Sequence, residues 1–304
     1  LLALAALAAI SGAAQAQSNV TIYGIVDMAL QHQNTGEKAG ATLGLDSGIQ
    51  SGSRLGFKGT EDLGGGLKAN FQLEMGVNAD TGSSAQGGLA FGRQAWVGLA
   101  GGFGDLRLGR TDTPIGDIAG NVLSAQAYDD LKLLGTRAGN DYRCASNTIT
   151  YALPAMVPGL TATLQYSTGT GAPLAGETAG SSEGKAYGLS VKYAAGPLSA
   201  GLGYENAKDE VTGGATSTKA NATLAYAGYD FGAAKVTGYY NAETRPLAFV
   251  ATGTRRLTVL GAKVAVPFTP EFTLIAGLST ARNVEGDAAG TDNVQRSEER
   301  RVGK

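Results

Sequence analysis

This 304-residue sequence has a single histidine and a single cysteine, so the imidazole and thiol groups that many catalytic and metal sites require are scarce. A Ser-His-Asp hydrolase needs a histidine, and no catalytic serine motif lies near His32 in the sequence. A zinc site needs several Cys or His ligands, and Cys144 has no second cysteine with which to form an internal disulfide. We therefore expect no catalytic residues, no bound metal and no cofactor.

Proline, net charge and long apolar runs are also scarce. The 8 prolines exclude a collagen-like or proline-rich chain, and the formal net charge of −2 gives no indication of nucleic-acid binding. Mean hydropathy is −0.05. After residue 16 no apolar run reaches the length of about 20 residues that a membrane-spanning helix needs. These features exclude a helical membrane protein.

The two ends of the sequence differ from its middle. The first residues, LLALAALAAISGAAQA, form an apolar run that ends in an A-x-A pattern and are typical of a secretory signal peptide, with a short membrane anchor as the alternative. The last residues, RSEERRVGK, share no pattern with the rest and look like a translated adapter oligonucleotide, with a genuine charged tail as the alternative. The predicted organisation is a signal-peptide remnant over 1–16, one β-structured unit over 17–295 and a non-native tail over 296–304.

Glycine and strict polar/apolar alternation are the features that the sequence has in excess. Its 47 glycines are roughly twice the usual share. In LKANFQLEMGVN, residues 67–78, every odd position is apolar and no even position carries a large apolar group. Alternation of this kind predicts a β-strand whose two faces contact different media.

About thirteen segments of this kind follow one another along the chain. Each is roughly ten residues long, which is the length of a tilted membrane strand and about twice that of a usual soluble strand. Short turns and long Gly/Ser/Thr/Ala-rich loops alternate between them, as in outer-membrane barrels. The predicted strands start near residues 19, 51, 66, 91, 104, 146, 159, 185, 197, 219, 234, 256 and 271.

The alternation predicts an all-β fold, a transmembrane antiparallel β-barrel. Spanning sheets must close because unpaired backbone groups cannot be tolerated in lipid. The apolar face of each strand then meets lipid, and the polar face meets a lumen too wide for side chains to fill. Four tyrosines near strand ends, on the apolar parity, are expected to form the girdle at the membrane interface: Tyr166, Tyr193, Tyr204 and Tyr226. A soluble antiparallel sandwich is the structural alternative.

Three stretches carry a specific resemblance to a known family: SNVTIYGIVD near the mature start, SRLGFKGTEDLGGGLKANFQLEMG from residue 53, and FGRQAWVGLAGGFGDLRLGR from residue 91. They resemble the general porins of Gram-negative bacteria, the proteobacterial group with trimeric barrels. The resemblance implies a homotrimer in the lipid of the outer membrane that passes small hydrophilic solutes and ions by passive diffusion. It also implies sixteen strands, so that about three would be missing here.

The resemblance further implies that the third external loop folds into the barrel and narrows it. The matching segment is about 111–143, and its carboxylates would face a basic wall. The acidic residues proposed for this constriction are Asp112, Asp117, Asp129 and Asp130. The same carboxylates could instead belong to a solvated surface loop or bind Ca²⁺.

Strand parity predicts which cations form the basic wall. The proposed residues are Arg54, Lys58, Arg93, Arg107 and Arg110. Arg93 points inward only if Trp96 belongs to the interface girdle, a choice that also turns Val97 inward. Arg110 has the wrong parity and needs a β-bulge at Gly109. Cations on the wall facing carboxylates on the loop would create a transverse field and favour anions weakly.

One other membrane function stays open at this stage. An adhesin or surface receptor would use the same barrel with a plugged lumen. A long apolar or helical insert within residues 111–143 would favour it, and the sequence shows no clear insert of this type.

Overall fold

The structure is a computed structural model of the chain. It describes residues 19–33, 42–48, 51–122, 136–137, 140–141, 144–169, 185–210, 217–246, 254–270, 272–282 and 293–302. The predicted signal peptide, residues 1–16, lies outside these ranges, as do Asp129 and Asp130.

The described residues are mostly extended, and all thirteen predicted strands are confirmed. Each of the thirteen begins within three residues of its predicted start. The strands are β1 (Asn19–Ile25), β2 (Met28–Gln33), β3 (Thr42–Ser47), β4 (Arg54–Gly64), β5 (Leu67–Asn78), β6 (Ser83–Ser84), β7 (Gln94–Gly101), β8 (Gly104–Asp112), β9 (Thr136–Arg137), β10 (Asn140–Asp141), β11 (Cys144–Ala152), β12 (Leu160–Thr168), β13 (Lys185–Ala195), β14 (Leu198–Glu210), β15 (Ser217–Asp230), β16 (Lys235–Pro246), β17 (Thr254–Pro267), β18 (Phe272–Arg282) and β19 (Asn293–Val302).

One antiparallel sheet contains nearly all of these strands. Its order is β1-β4-β5-β7-β8-β11-β12-β13-β14-β15-β16-β17-β18-β19, with β6 added to β5. Each long strand pairs with the next one along the chain, as in a meander. Two further pairs, β2 with β3 and β9 with β10, are separate small sheets.

The first strand is shorter than the alternation predicts. The sequence pattern runs on from β1 to residue 31, but β1 ends at Ile25 and β2 pairs with β3 instead. Asp27 explains the break, because its backbone N–H and its carboxylate form hydrogen bonds with the segment that precedes β4 instead of continuing the strand. Its backbone N–H donates to Oγ of Ser53 at 2.9 Å, and its carboxylate accepts from the backbone N–H of Ser51 at 2.6 Å.

The two faces of the sheet have opposite polarity, and the exposure is inverted relative to a soluble protein. On one face large apolar side chains are open, including Leu164 at 51% exposure and Val97 at 61%. On the other face polar side chains are shielded, including Gln165 at 7% and Glu74 at 5%. We call these the outer and inner faces. This arrangement confirms the predicted division between a lipid-facing and a lumen-facing side.

One nine-residue helix, α1 (Pro114–Val122), lies against the inner face. Thr113 caps its start, because its Oγ1 accepts from the N–H of Gly116 at 2.9 Å, and proline suits the first helical position. Because α1 lies within the segment 111–143, the expectation that this segment has no clear helical insert was wrong. No helix in the described residues is long and apolar enough to span a membrane.

The apolar side of α1 packs into a small hydrophobic core on the inner face. The core consists of four helix residues and five strand residues: Ile115, Ile118, Ala119, Val122, Ala222, Leu224, Tyr226, Tyr239 and Val259. Glycines let the helix approach closely. A Cβ built on Gly203 would lie 2.9 Å from Cγ1 of Ile118 and 3.0 Å from Cα of Ile115.

This packing reverses the predicted orientation of β15. Alternation predicts that Leu224 and Tyr226 face lipid, but they are 1% and 9% exposed beneath α1. Tyr226 therefore does not belong to the interface girdle. Tyr166 and Tyr193 do lie on the outer face, at 46% and 36% exposure.

Residues 293–302 form the last strand of the sheet, paired with β18. The predicted non-native tail begins at residue 296, so backbone pairing continues through it. The register places Arg296, Glu298 and Arg300 opposite Leu278, Ala276 and Leu274. Ladder bonds use only backbone groups, so this pairing does not depend on the side chains of the tail.

Candidate pore-lining site

Glu74 lies at the centre of a charged cluster on the inner face. Its Oε1 accepts a hydrogen bond from Nε of Arg93 at 2.5 Å, and its Oε2 accepts one from the hydroxyl of Tyr23 at 2.8 Å. A guanidinium nitrogen of Arg54 lies 3.9 Å from Oε1. One carboxylate thus faces two arginines, and this part of the wall keeps a surplus of positive charge.

Strand register explains why these side chains meet. Gly56 pairs with Tyr23 on one side and with Glu74 on the other, so all three share the inner face. A Cβ on Gly56 would lie 2.3 Å from the ring of Tyr23. The glycine therefore leaves the space in which the phenol crosses β4 to reach Glu74.

Arg93 reaches the cluster from the segment that precedes β7 rather than from the strand itself. A guanidinium is charged in proteins in any case, and the hydrogen bond to Glu74 fixes the position of this one at the pore wall.

Arg110 lies beside this segment. Its Nε donates to the carbonyl of Gly92 at 2.6 Å, and its Nη1 donates to Oγ of Ser146 at 2.8 Å. The β-bulge predicted at Gly109 is not found in β8: its pairing with β7 is regular there, and the register shift with β11 between Ala145 and Thr148 places the extra residue in β11. Gly109 itself has a φ of 135°. Only glycine adopts this backbone conformation readily.

Arg107 and Lys58 form a second basic group on the inner face. The guanidinium of Arg107 lies 4.6 Å from the ring centroid of Trp96 and donates to Asp105 at 2.7 and 3.1 Å. Lys58 Nζ lies 5.4 Å from the ring centroid of Tyr23. Both cations face the lumen, in the direction that parity predicts.

The reasoning that placed Arg93 inward was wrong, although the residue does point there. Trp96 pairs with Gln72 on the inner face and is 8% exposed, so it is not an interface residue. Val97 consequently faces outward. Arg93 lies outside the regular strand, and strand parity does not apply to it.

Of the acids proposed for the segment 111–143, the two that lie within the described residues, Asp112 and Asp117, have partners outside the basic wall. Asp117, in the first turn of α1, forms an ion pair with Lys192 of β13, with Oδ2 and Nζ 2.5 Å apart. Asp112, at the end of β8, accepts a hydrogen bond from Sγ of Cys144 at 3.3 Å. Neither Asp129 nor Asp130 lies within the described residues.

Sequence reasoning missed two acids in the wall, Glu74 and Asp105, and the helix α1 in the segment 111–143. Glu74 and Asp105 alternate with polar neighbours on the inner parity, so their inward position was readable from the pattern. Helix α1 was also readable, from Thr113-Pro114 at its start and from apolar residues at helical spacing after it. The ion pair of Asp117 with Lys192 had no local signal, because 75 positions separate the two residues.

An apolar outer face and a charged, solvent-lined inner face on one long antiparallel sheet define a membrane channel of the β-strand type. The chain matches the family described as Gram-negative porin over residues 3–297. It belongs to that family, whose members lie in the outer membrane.

Two relatives and one solved structure illustrate the similarity. Outer membrane porin protein 32 of Delftia acidovorans is 39% identical over 257 residues, which cover 78% of this chain and 67% of that protein. An outer membrane porin protein of Bordetella pertussis is 48% identical over 112 residues, 33% of this chain and 29% of that protein. The anion-selective porin from Comamonas acidovorans superposes with a TM-score of 0.73 at 30% identity, covering 92% of this chain and 83% of that one.

Proposed function

We propose that this porin is a general diffusion channel through which small hydrophilic solutes and ions pass the outer membrane down their gradients. The observation that carries the proposal is the inverted exposure of the sheet, apolar outside and polar inside, on strands long enough to cross a bilayer. Diffusion of this kind requires no covalent chemistry, and the absence of an enzymatic activity stays a prediction.

The segment of about 111–143 is proposed to narrow the lumen. The position of α1 against the inner face supports this, because the segment turns inward directly after β8. The proposed constriction combines Arg54, Arg93 and Arg110 on the wall with Asp112 on the segment. Asp129 and Asp130 remain proposed members of its acidic side.

Anions are proposed to pass more readily than cations. At the Glu74 cluster and directly beside it, the three arginines of the proposed constriction stand against two carboxylates, those of Glu74 and Asp112. Fixed charge at a narrow zone favours the counter-ion. The anion-selective porin that superposes on this chain is consistent with the same direction of preference.

A homotrimer is proposed on family grounds. A signal-peptide remnant over 1–16 and a non-native tail over 296–304 are proposed from their sequence patterns alone. Cross-linking of the outer-membrane protein should yield trimers. Mass spectrometry of the exported protein should place its first residue at Gln17. A monomer, or an N-terminus elsewhere, would contradict the respective proposal.

Planar-bilayer recordings of the full-length protein test the main proposal. We expect ohmic single-channel openings and a reversal potential in a salt gradient that indicates anion preference. A plugged barrel acting as adhesin or receptor is the second candidate, favoured by the helix on the inner face. Failure to observe ohmic openings would support that candidate, and a clear cation preference would refute the proposed selectivity.

A further inference from the structure

A lysine of the inner face reaches the carboxyl end of helix α1. Nζ of Lys263, on β17, donates a hydrogen bond to the backbone carbonyl of Val122, the last residue of the helix. The lysine is 9% exposed, and Val122 is fully buried. Because α1 packs mainly over β12 to β15, this lysine comes from two strands further along the sheet. The contact therefore ties the end of the helix to a part of the wall beyond its main seat.

A buried helix end needs a partner of this type. The last four carbonyl groups of an α-helix have no intrahelical N–H partner, and a helix end that is buried without other partners is costly. The carboxyl end also carries a partial negative charge, which a nearby cation stabilises. An ammonium group meets both requirements at Val122, and the carbonyl in turn gives the buried cation a hydrogen-bond acceptor.

The wall around Lys263 is filled by side chains. Val259, Gly261 and Lys263 follow one another on the inner face of β17, and Val259 belongs to the hydrophobic core beneath α1. A Cβ on Gly261 would overlap the ring of Tyr239, so the ring occupies the space above this glycine. The lysine thus lies in a packed part of the wall and not in the open lumen.

The two ends of α1 are held differently. Near its start Asp117 pairs with Lys192, and both of these side chains are partly exposed to solvent. At its end the contact between Lys263 and Val122 is shielded. Solvent and salt weaken an exposed ion pair much more than a buried interaction. The lysine at the carboxyl end is therefore the more effective of the two attachments.

We propose that Lys263 is a positioning residue of the pore: it fixes the carboxyl end of α1, and with it the point from which the segment 111–143 continues. Its ammonium acts through the helix and does not need to contact a passing solute. The inference rests on the proposed function, since it assigns a residue that holds the proposed constriction in place. Without this contact the helix end, and the lumen beside it, should fluctuate between positions.

Hydrogen exchange and single-channel recordings on the full-length protein test this role. Lys263→Met keeps the apolar part of the side chain and removes the donor. We expect the amides of α1 to exchange about tenfold faster in detergent, as for the loss of a hydrogen bond from a charged donor. Amides of β4, outside the seat of the helix, should keep their rates. The open-channel current in bilayers should show raised noise or additional conductance levels.

Two further variants separate the hydrogen bond from charge and volume. Lys235 is an exposed cation at the start of the neighbouring strand β16, so Lys235→Met removes the same charge from the wall at a turn-side position. It should leave the exchange of α1 and the current noise at wild-type values. Lys263→Arg keeps a charged donor at the original position and should stay closer to the wild type than Lys263→Met.

Equal effects of Lys263→Met and Lys235→Met, or of Lys263→Met and Lys263→Arg, would overturn the inference. The wild-type protein gives a check that does not depend on the folding of a variant. Helix ends usually fray, but amides of Asn121 and Val122 should exchange as slowly as those of Ile118 and Ala119, and a frayed last turn would also overturn the inference. Failure of the proposed function looks different, because the wild-type protein would then show no ohmic openings, whatever the exchange rates.

Discussion

Nε of Arg93 lies 2.5 Å from Oε1 of Glu74, so this cation of the pore wall is paired with an acid of the same wall. The sequence led us to expect its countercharge on the loop across the lumen. Pairing within the wall reduces the positive field that a passing ion meets, because each carboxylate offsets one guanidinium. We therefore expect Glu74 to oppose the effect of the arginines on ion selectivity.

Glu74→Gln should increase anion preference. The change removes one negative charge with little change of volume and leaves Arg54 and Arg93 unneutralised. A unit charge about 8 Å from an ion in water contributes about 0.5 kcal/mol, with opposite sign for chloride and for potassium, so the chloride-to-potassium permeability ratio should rise roughly fivefold. Reversal potentials in a potassium chloride gradient measure this ratio.

The control for this change is Asp80→Asn, which removes an exposed acid from the loop after β5. It should leave the ratio near the wild-type value. Equal shifts in the two variants would show that overall charge, and not the position of Glu74, decides the selectivity.

Gly203→Ala should disturb the seat of α1. The added Cβ would lie 2.9 Å from Ile118 and 3.0 Å from the backbone of Ile115, so the helix has to move. Overpacking of this kind costs about 1–3 kcal/mol. We expect a lower free energy of unfolding in detergent and an altered single-channel conductance.

Gly238→Ala is the matched control, since its nearest neighbour, the carbonyl oxygen of Gly261, is 4.0 Å away. Unchanged conductance in Gly203→Ala would contradict the idea that the packing of α1 against Gly203 sets the width of the lumen.

The ion pair of Asp117 with Lys192 should couple only weakly. The two side chains are 41% and 30% exposed, and solvent screens pairs of this kind to about 1 kcal/mol or less. A double-mutant cycle with Asp117→Asn and Lys192→Gln, read from denaturant unfolding, measures the coupling. It should shrink further at high salt. A coupling of several kcal/mol, insensitive to salt, would mean that α1 is held chiefly by this pair instead of by its apolar side.

Ala225→Trp should place a fluorophore in lipid. Ala225 pairs with Leu202 and Tyr240, which are 45% and 43% exposed on the outer face. In a Trp96→Phe background, brominated acyl chains should quench the emission as strongly as they quench Leu164→Trp. Absence of quenching in Ala225→Trp alone would restore the orientation that alternation predicts for β15.

Most of the architecture could be predicted from the sequence because each membrane strand contains its own signal. In β5 the period of two is unbroken from Leu67 to Asn78, and the structure assigns the strand to the same residues. Strand starts agree closely for the same reason. Lipid on one side and water on the other impose the pattern on every strand separately, and no knowledge of distant residues is needed.

Alternation predicted the wrong orientation for β15, where the helix α1 covers the inner face of the sheet. Leu224 and Tyr226 keep the apolar alternation of a lipid-facing strand, yet α1 gives them an apolar partner on the inner face. Alternation records only that two media differ, and it does not say which side is lipid. Trp96 was predicted at the membrane interface but lies on the inner face. The amphipathic indole ring suits an interface, and it also suits stacking with the guanidinium of Arg107.

The sequence by itself determined the class of protein: long alternating strands, short and long connections in turn, and a set of cations on one parity. Those properties depend on neighbours within a few positions of each other. Tertiary structure alone decided which charges are paired and which face of β15 is inward. Glu74 reaches Tyr23 across 51 positions, and Lys263 donates to the carbonyl of Val122 across 141. Strand pairing across β4 brings Tyr23 and Glu74 together, and the packing of α1 on the inner face brings Val122 to Lys263. No local pattern encodes either contact.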